Sequence, residues 1–332
     1  MISFRQKDKL QIISFQTYGT KSHLYLRGRA LEDEEIDLSQ KGFFNLLQNT
    51  WKRFETDEVR NTNIKVTLAN GHIVLTRTDD DGYYLIDSPT DALTSVANSE
   101  GWLNFEIAYA DASLRREILH QNRFPGEMLI PSEKADYGVI SDIDDTILHT
   151  GVVSSMKWRV LINTVFTRAI ARKPLEGAAD LYHKLHRGPS GENANPIFYV
   201  SHSPWNLYRY LELFLDTNNF PKGPILLRSM ASFKNRKSEK PHKYNEIVNI
   251  LKTYPELSFI LFGDSGEKDA DIYINIAKRY PDQVKAIYLR SVNDSNRMDR
   301  IHSLVNEFKL SPILVVYDSQ EVIEHAKANG FL

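Results

Sequence analysis

The sequence has no cysteine. That absence excludes disulfides, thiolate metal ligands and cysteine nucleophiles, and it leaves only oxygen and imidazole donors for any metal chemistry, which favours a hard ion such as Mg²⁺. Long apolar runs are also missing. No uninterrupted stretch approaches the roughly 20 residues that cross a bilayer, and the opening MISFRQKDKLQIISF is broken by charge. The expectation is a cytoplasmic protein, at most peripheral to a membrane, with no transmembrane segment. Acid is absent from residues 146–175, which hold Lys157, Arg159, Arg168, Arg172 and Lys173, and again from residues 217–238. Such runs suggest an anionic partner, although a solvated helix face explains either one taken alone. No internal repeat or low-complexity tract is visible.

What is present suffices for two cores: 332 residues, 42% hydrophobic and 25% charged. The net charge of −2 hides a split. Residues 1–136 carry 16 Lys and Arg against 21 Asp and Glu, whereas residues 137–332 carry 25 against 22.

Residues 1–130 read as short alternating strands separated by turn residues: LQIISFQTYG, SHLYLRGRAL, NIKVTLANG, HIVLTRT, GYYLIDS and WLNFEIAYA. The spacing predicts a β-sandwich, interrupted by one helix over about 43–54. The run TRTDDDGYYLI is similar to the strand–turn–strand signature of transthyretin-like sandwiches. A polar hairpin turn explains its Asp79, Asp80 and Asp81 more simply than a Ca²⁺ site does. PSEKAD (131–136) reads as a linker. From there the rhythm becomes apolar strand then amphipathic helix, with strands YGVISD, PIFYVS, GPILLR, LSFILFGD, VKAIYLR and PILVVYD. That pattern predicts an α/β domain over 131–332, built on a doubly wound parallel sheet covered on both faces.

Ligands of such sheets bind beyond the carboxyl ends of the strands. Three strand ends here carry polar groups that suit one another. The first is Asp142-Ile143-Asp144-Asp145-Thr146, too much like charge to crowd together unless a cation or a reaction uses it. The second is Ser201-His202-Ser203-Pro204, where Ser203 is expected to cap the next helix and Pro204 to open it. The third is Gly263-Asp264-Ser265-Gly266-Glu267-Lys268-Asp269, with Lys243 opening the helical segment just before that strand.

That order resembles the four-motif pattern of the haloacid-dehalogenase-type phosphohydrolases. ISDIDDTI, NPIFYVSHSPWNLY, FPKGPILLR, HKYNEI and FILFGDSGEKDADIY further resemble the catalytic domain of the actin-patch type phosphatidate phosphatases, over about residues 126–295. The resemblance implies a Rossmann-like, haloacid-dehalogenase-like sheet with a small helical cap over 149–195. It also implies a Mg²⁺-dependent phosphomonoester hydrolase with phosphatidate at a membrane surface as substrate. Asp142 is then the nucleophile and Asp144 the general acid and base, whose main-chain carbonyl also meets the metal. Ser201 binds the transferring phosphoryl group and Lys243 neutralises its charge. Asp264 completes the metal ligands with Asp142, while Thr146 and Asp269 support the site. Asp145 is assigned only a supporting or solvated role. His202, Ser203 and Arg228 are candidates for contacting substrate, against the plainer alternatives of a backbone-bonded histidine and a structural salt bridge.

The physical chemistry of the residues points the same way. A phosphate ester repels a carboxylate, so attack by one needs cations to bring the two together. Two other readings stay open. One keeps the chemistry but takes a soluble sugar phosphate, nucleotide or nucleic-acid end; the other is a non-catalytic interaction protein on this fold. Nucleic acid is not an expected partner. The acid-free segment VSSMKWRVLINTVFTRAIARK is expected to form a basic amphipathic helix carrying Trp158, able to touch an anionic bilayer or to pack on the core.

Overall fold

A computed structural model of the chain describes residues 9–33, 58–90, 93, 97–111, 116–143, 177–228, 241–265, 268–291 and 295–332. Asp144, Asp145, Thr146, the helix expected over 43–54 and the basic stretch 157–173 lie outside these residues. The chain divides into two units, residues 1–130 with 206–210, and residues 131–205 with 211–332.

The first unit is built of strands. They are β1 (Lys9–Ser14), β2 (Thr17–Thr20), β3 (His23–Asp33), β4 (Asn63–Leu68), β5 (Ile73–Arg77), β6 (Tyr83–Pro89), β7 (Trp102–Tyr109) and β8 (Phe124–Leu129). Hydrogen bonds join them in the order β1-β3-β2-β8-β7-β4-β5, with β6 on β3. All of these pairs are antiparallel except β2 with β8. Alternation sets the inward face: Ile64, Val66 and Leu68 of β4 are buried together with Leu24, Leu26, Ile86 and Ile107. The stretch 10–19, expected as one strand, breaks at Phe15 and Gln16 into β1 and β2. β8 is an addition to the expected set, because Pro125 and Gly126 interrupt its apolar pattern. Gly126 pairs with Phe105, and a Cβ there would lie 2.2 Å from the Phe105 ring, so the glycine makes room for that aromatic. Asp79 closes the polar turn, its Oδ1 accepting from the amides of Asp81 and Tyr83.

The second unit holds β9 (Gly138–Asp142), β10 (Ile197–Pro204), β11 (Ile225–Arg228), β12 (Phe259–Asp264), β13 (Val284–Arg290) and β14 (Ile313–Val316). The helices described after residue 143 are α1 (Ala178–Arg187), α2 (Tyr208–Thr217), α3 (His242–Thr253), α4 (Asp269–Arg279), α5 (Ser295–Glu307) and α6 (Ser319–Ala328). All strand pairs of this sheet are parallel, in the order β11-β10-β9-β12-β13-β14. Every residue of β9 and β12 is buried, as expected of central strands covered on both faces. Alternation along β12 shows the two layers: the Phe262 ring meets Tyr182 of α1, while the next residue, Gly263, faces Asp269 and Tyr273 of α4.

Numbered within the sheet, the strand order is 3-2-1-4-5-6, so successive connections run away from β9 in opposite directions. The reversal falls between β9 and β12, where an open parallel sheet leaves a crevice at its carboxyl ends. Register brings Asp142 beside Val200 of β10, and Ser141 beside Phe262 of β12. Residues 178–195, placed within the cap by sequence, include α1, whose Tyr182 packs against Tyr199 and Phe262 of the sheet and against Phe220 in the segment before β11. Among the described residues no helix is long and apolar enough to cross a membrane, which says nothing about strands.

Candidate active site

The crevice between β9 and β12 is lined by charge. Asp142 ends β9, Asp264 ends β12, Asp269 is the first residue of α4 and Lys243 lies in the first turn of α3. All four are buried to within 1% of full enclosure. Lys243 Nζ donates to Asp142 Oδ1 at 2.9 Å and to Asp269 Oδ1 at 2.6 Å. One oxygen from each of Asp142, Asp264 and Asp269 falls within 4.8 Å of the others. Asp269 gains further from the positive end of the α4 dipole.

Among the described residues three buried carboxylates converge and one ammonium hydrogen-bonds two of them, and like charge crowded in a water-poor site favours binding of a cation. Asp269 Oδ2 is buried and, among the described residues, makes no hydrogen bond. These donors fit a divalent metal: they are hard oxygens, they converge, and they carry negative charge. Among the described residues, Asp142, Asp264 and Asp269 are able to hold it.

Ser201 lies on β10 beside β9 and is fully buried. Its Oγ accepts from the Ser203 amide at 2.9 Å, curling the chain past the level of Asp142. Ser203 therefore does not cap a helix. Strand β10 runs on through Pro204 with an irregular register against β11, a short 3₁₀ turn covers Trp205–Leu207, and α2 starts only at Tyr208. The expected cap fails because the bulged strand, not a helix, claims those residues.

His202 is partly buried. Burial holds its pKa down at about 3, helped by the positive charges of Lys243, His242, Arg228 and Lys268, so it is a neutral ring near pH 7. Arg228 ends β11 on the same edge, and burial lowers its pKa from the ordinary arginine value.

Two residues that the sequence did not single out fix the backbone of this site. Ser141 Oγ donates to the Asp142 carbonyl at 2.7 Å, and the Tyr182 hydroxyl lies 2.5 Å from Ser141 Oγ. Burial raises the Tyr182 pKa, keeping it a neutral donor. The only hint in the sequence was a serine inside an otherwise apolar strand.

Comparison with known proteins places this constellation in a family context. Residues 137–291, from the start of β9 to just past β13, match the family described as phosphatidate phosphatase APP1, catalytic domain. Over 227 residues, 66% of the chain, the sequence is 35% identical to phosphatidate phosphatase APP1 of Saccharomyces cerevisiae, covering 35% of that protein. Over 275 residues, 82% of the chain, it is 23% identical to an uncharacterised protein of Schizosaccharomyces pombe, covering 41% of it. The chain thus spans well under half the length of these relatives. Among solved structures, a tandem-repeat extending region of a large adhesion protein is 18% identical over 36% of the chain and 22% of its own, with a TM-score of 0.17, too low to inform the fold.

Proposed function

Residues 137–291 belong to the catalytic-domain family of phosphatidate phosphatase APP1, and from that premise we propose that this chain is a Mg²⁺-dependent phosphatidate phosphatase, releasing phosphate and diacylglycerol. The observation that carries the reading is the buried cluster of Asp142, Asp264, Asp269 and Lys243 at the reversal point of the parallel sheet. We read the second unit as a Rossmann-like, haloacid-dehalogenase-like domain, supported by the 3-2-1-4-5-6 strand order. The first unit is read as a β-sandwich accessory domain, supported by its largely antiparallel strands with alternating burial.

In this proposal Asp142 attacks phosphorus and forms an aspartyl phosphate. Lys243 keeps Asp142 ionised and draws charge from the phosphoryl oxygens as they approach. The Ser201 hydroxyl turns toward the transferring group, and the Ser141–Tyr182 pair holds the Asp142 backbone while the side chain reacts. Asp144, outside the described residues, is assigned on the family resemblance to protonate the leaving alcohol and then to take a proton from the attacking water. A bound Mg²⁺ would supply charge neutralisation for the nucleophile and the phosphoryl group, held by Asp142, Asp264 and the Asp144 carbonyl, with Asp269 beside them. Neutral His202 and cationic Arg228 face the substrate side without sharing in the bond changes.

The substrate is placed at a membrane surface because phosphatidate resides there. Phosphate release from phosphatidate in vesicles, measured beside glucose phosphate and an aryl phosphate with Mg²⁺ or with chelator, tests the proposal. Turnover of phosphatidate that depends on Mg²⁺ supports it. Release from glucose phosphate alone would move the substrate class to soluble esters, and release undiminished by chelator would remove the metal.

A further inference from the structure

Backbone pairing between β9 and β12 ends at the level of the carboxylates. The Gly138 amide donates to the Ser258 carbonyl at 2.8 Å, and the register runs from Phe259 opposite Gly138 to Phe262 opposite Ser141. Bonds of a parallel ladder repeat every two residues. The rung after Gly138–Ser258 therefore joins Ile140 to Ile260, and the next joins the Asp142 amide to the Phe262 carbonyl. Among the described residues that rung is the last between these strands; beyond it β12 pairs with β13, where Asp264 lies opposite Arg290. The relative placement of Asp142 and Asp264 thus passes through the Phe262 carbonyl.

That carbonyl has a second partner. The Tyr273 hydroxyl donates to it at 2.8 Å, from a side chain that is fully buried. A carbonyl oxygen has two lone pairs, so it accepts from the Asp142 amide and from Tyr273 together. Tyr273 stands four residues after Asp269 on α4, and residues so spaced share one face of a helix. One turn of α4 thereby offers an acceptor to Lys243 and a donor to β12. Burial, and after it the charge of Asp269, raises the Tyr273 pKa well above the ordinary tyrosine value, so the hydroxyl keeps its proton. On the other face of the sheet the Tyr182 hydroxyl reaches Ser141, which holds the Asp142 carbonyl. One tyrosine acts on the peptide group before the Asp142 side chain, and the other on the peptide group after it.

We propose that Tyr273 is a positioning residue: its hydroxyl, bound to the last carbonyl that the two strands share, sets the placement of Asp142 against Asp264 and with it the affinity of the site for a divalent cation. The inference rests on the metal-dependent phosphatase reading above and adds to it a residue that acts through the backbone.

Tyr273→Phe tests this, because it keeps the ring against Gly263 and removes only the hydroxyl. Tyr137→Phe is its control: Tyr137 is nearly as buried and its hydroxyl also serves main-chain carbonyls, those of Leu185 and Phe331, but it stands at the amino end of β9. Calorimetric titration with MgCl₂ alone reads the site without turnover. Loss of a group that supports a metal ligand typically costs about 10–100-fold in metal affinity or activity. The Mg²⁺ Kd of Tyr273→Phe is therefore expected to rise by about tenfold or more and its kcat on an aryl phosphate at saturating Mg²⁺ to fall, while Tyr137→Phe keeps both within about twofold of the wild type. A folded Tyr273→Phe with wild-type Mg²⁺ affinity overturns the proposal. So does an equal loss in Tyr137→Phe, which would trace the effect to stability, and so does a wild type that binds no Mg²⁺. Folding is read by urea titration, with sucrose added to favour the compact chain; a Tyr273→Phe chain that stays unfolded in sucrose also overturns the proposal, since the hydroxyl would then hold the fold and not the site. Failure of the phosphatase reading would show separately, as a wild type that binds MgCl₂ but releases no phosphate from phosphatidate or an aryl phosphate.

Discussion

Lys243 bridges Asp142 and Asp269, with its ammonium 2.9 Å from one carboxylate and 2.6 Å from the other and all three side chains fully buried. The salt link joins the end of β9 to the start of α4, so it carries structure and charge together. Removing one partner of a buried ion pair typically costs about 3–5 kcal/mol, because the abandoned charge stays buried. Lys243→Met is therefore expected to destabilise the fold by that order in chelator and to abolish turnover. A divalent cation can replace part of the lost positive charge. Urea titrations of wild type and variant, each with and without MgCl₂, should show a larger Mg²⁺-dependent gain in the variant. An equal gain in both would mean that the lysine and the metal do not answer to the same carboxylates.

The metal assignment makes its own prediction. A ligand that binds only the folded state raises stability with the logarithm of its concentration relative to Kd. MgCl₂ should raise the Tm of the wild type, and chelator should reverse the rise. Asp264→Asn should remove most of it, while Asp271→Asn, on the exposed face of α4 where Asp271 pairs with Arg300, should leave it intact. A full Mg²⁺ response in Asp264→Asn would contradict the site.

Gly263 offers a test by shape alone. A Cβ at this position would lie 2.6 Å from Asp269 Oδ2 and 2.7 Å from the Tyr273 ring. Gly263→Ala must push Asp269 out of place without altering any charge. Misplacement of a reacting group by about 1 Å can cost on the order of 10²-fold in rate. A loss of that order, with a weaker Mg²⁺ effect on Tm, is expected; wild-type kinetics would show that the position of Asp269 does not matter.

His202 fixes a pH dependence. Its folded pKa, near 3, lies below the ordinary histidine value of 6.5. Above pH 6.5 the ring is neutral in both folded and unfolded chains and contributes no slope. As pH falls below 6.5 the unfolded chain takes up the proton and the folded one does not, so stability drops until about pH 3. His202→Asn should lose less stability than wild type between pH 7 and pH 5. Parallel losses would place an ordinary histidine pKa at this position.

Much of this was legible in the sequence, for identifiable reasons. Continuous apolar runs ending in Asp142, Ser201 and Asp264 announce buried parallel strands and, with them, the side of the sheet that carries polar groups. β8 escaped because Pro125 and Gly126 break its pattern, and only the paired Phe105 ring explains the glycine. The helix expected at Ser203-Pro204 failed because a bulge in β10 depends on β11 beside it, which local propensity does not see. Strand order is likewise a long-range property. It decides that Asp142 and Asp264 end neighbouring strands, and nothing local to either residue says so. The pairing of Lys243 with Asp269, and the support of Asp142 by Ser141 and Tyr182, depend on helices packed across the sheet and became visible only there.

The central claim is that Asp142 is the group that takes the phosphoryl from substrate. Acid quenching during turnover of an aryl phosphate, followed by peptide mass spectrometry, measures it directly. The wild type should carry a phosphoryl group on the peptide containing Asp142, and Asp142→Asn, folded as judged by its urea transition, should carry none and release no phosphate. Turnover by Asp142→Asn at the wild-type rate, or a phosphoryl group trapped on a different residue, would contradict the account.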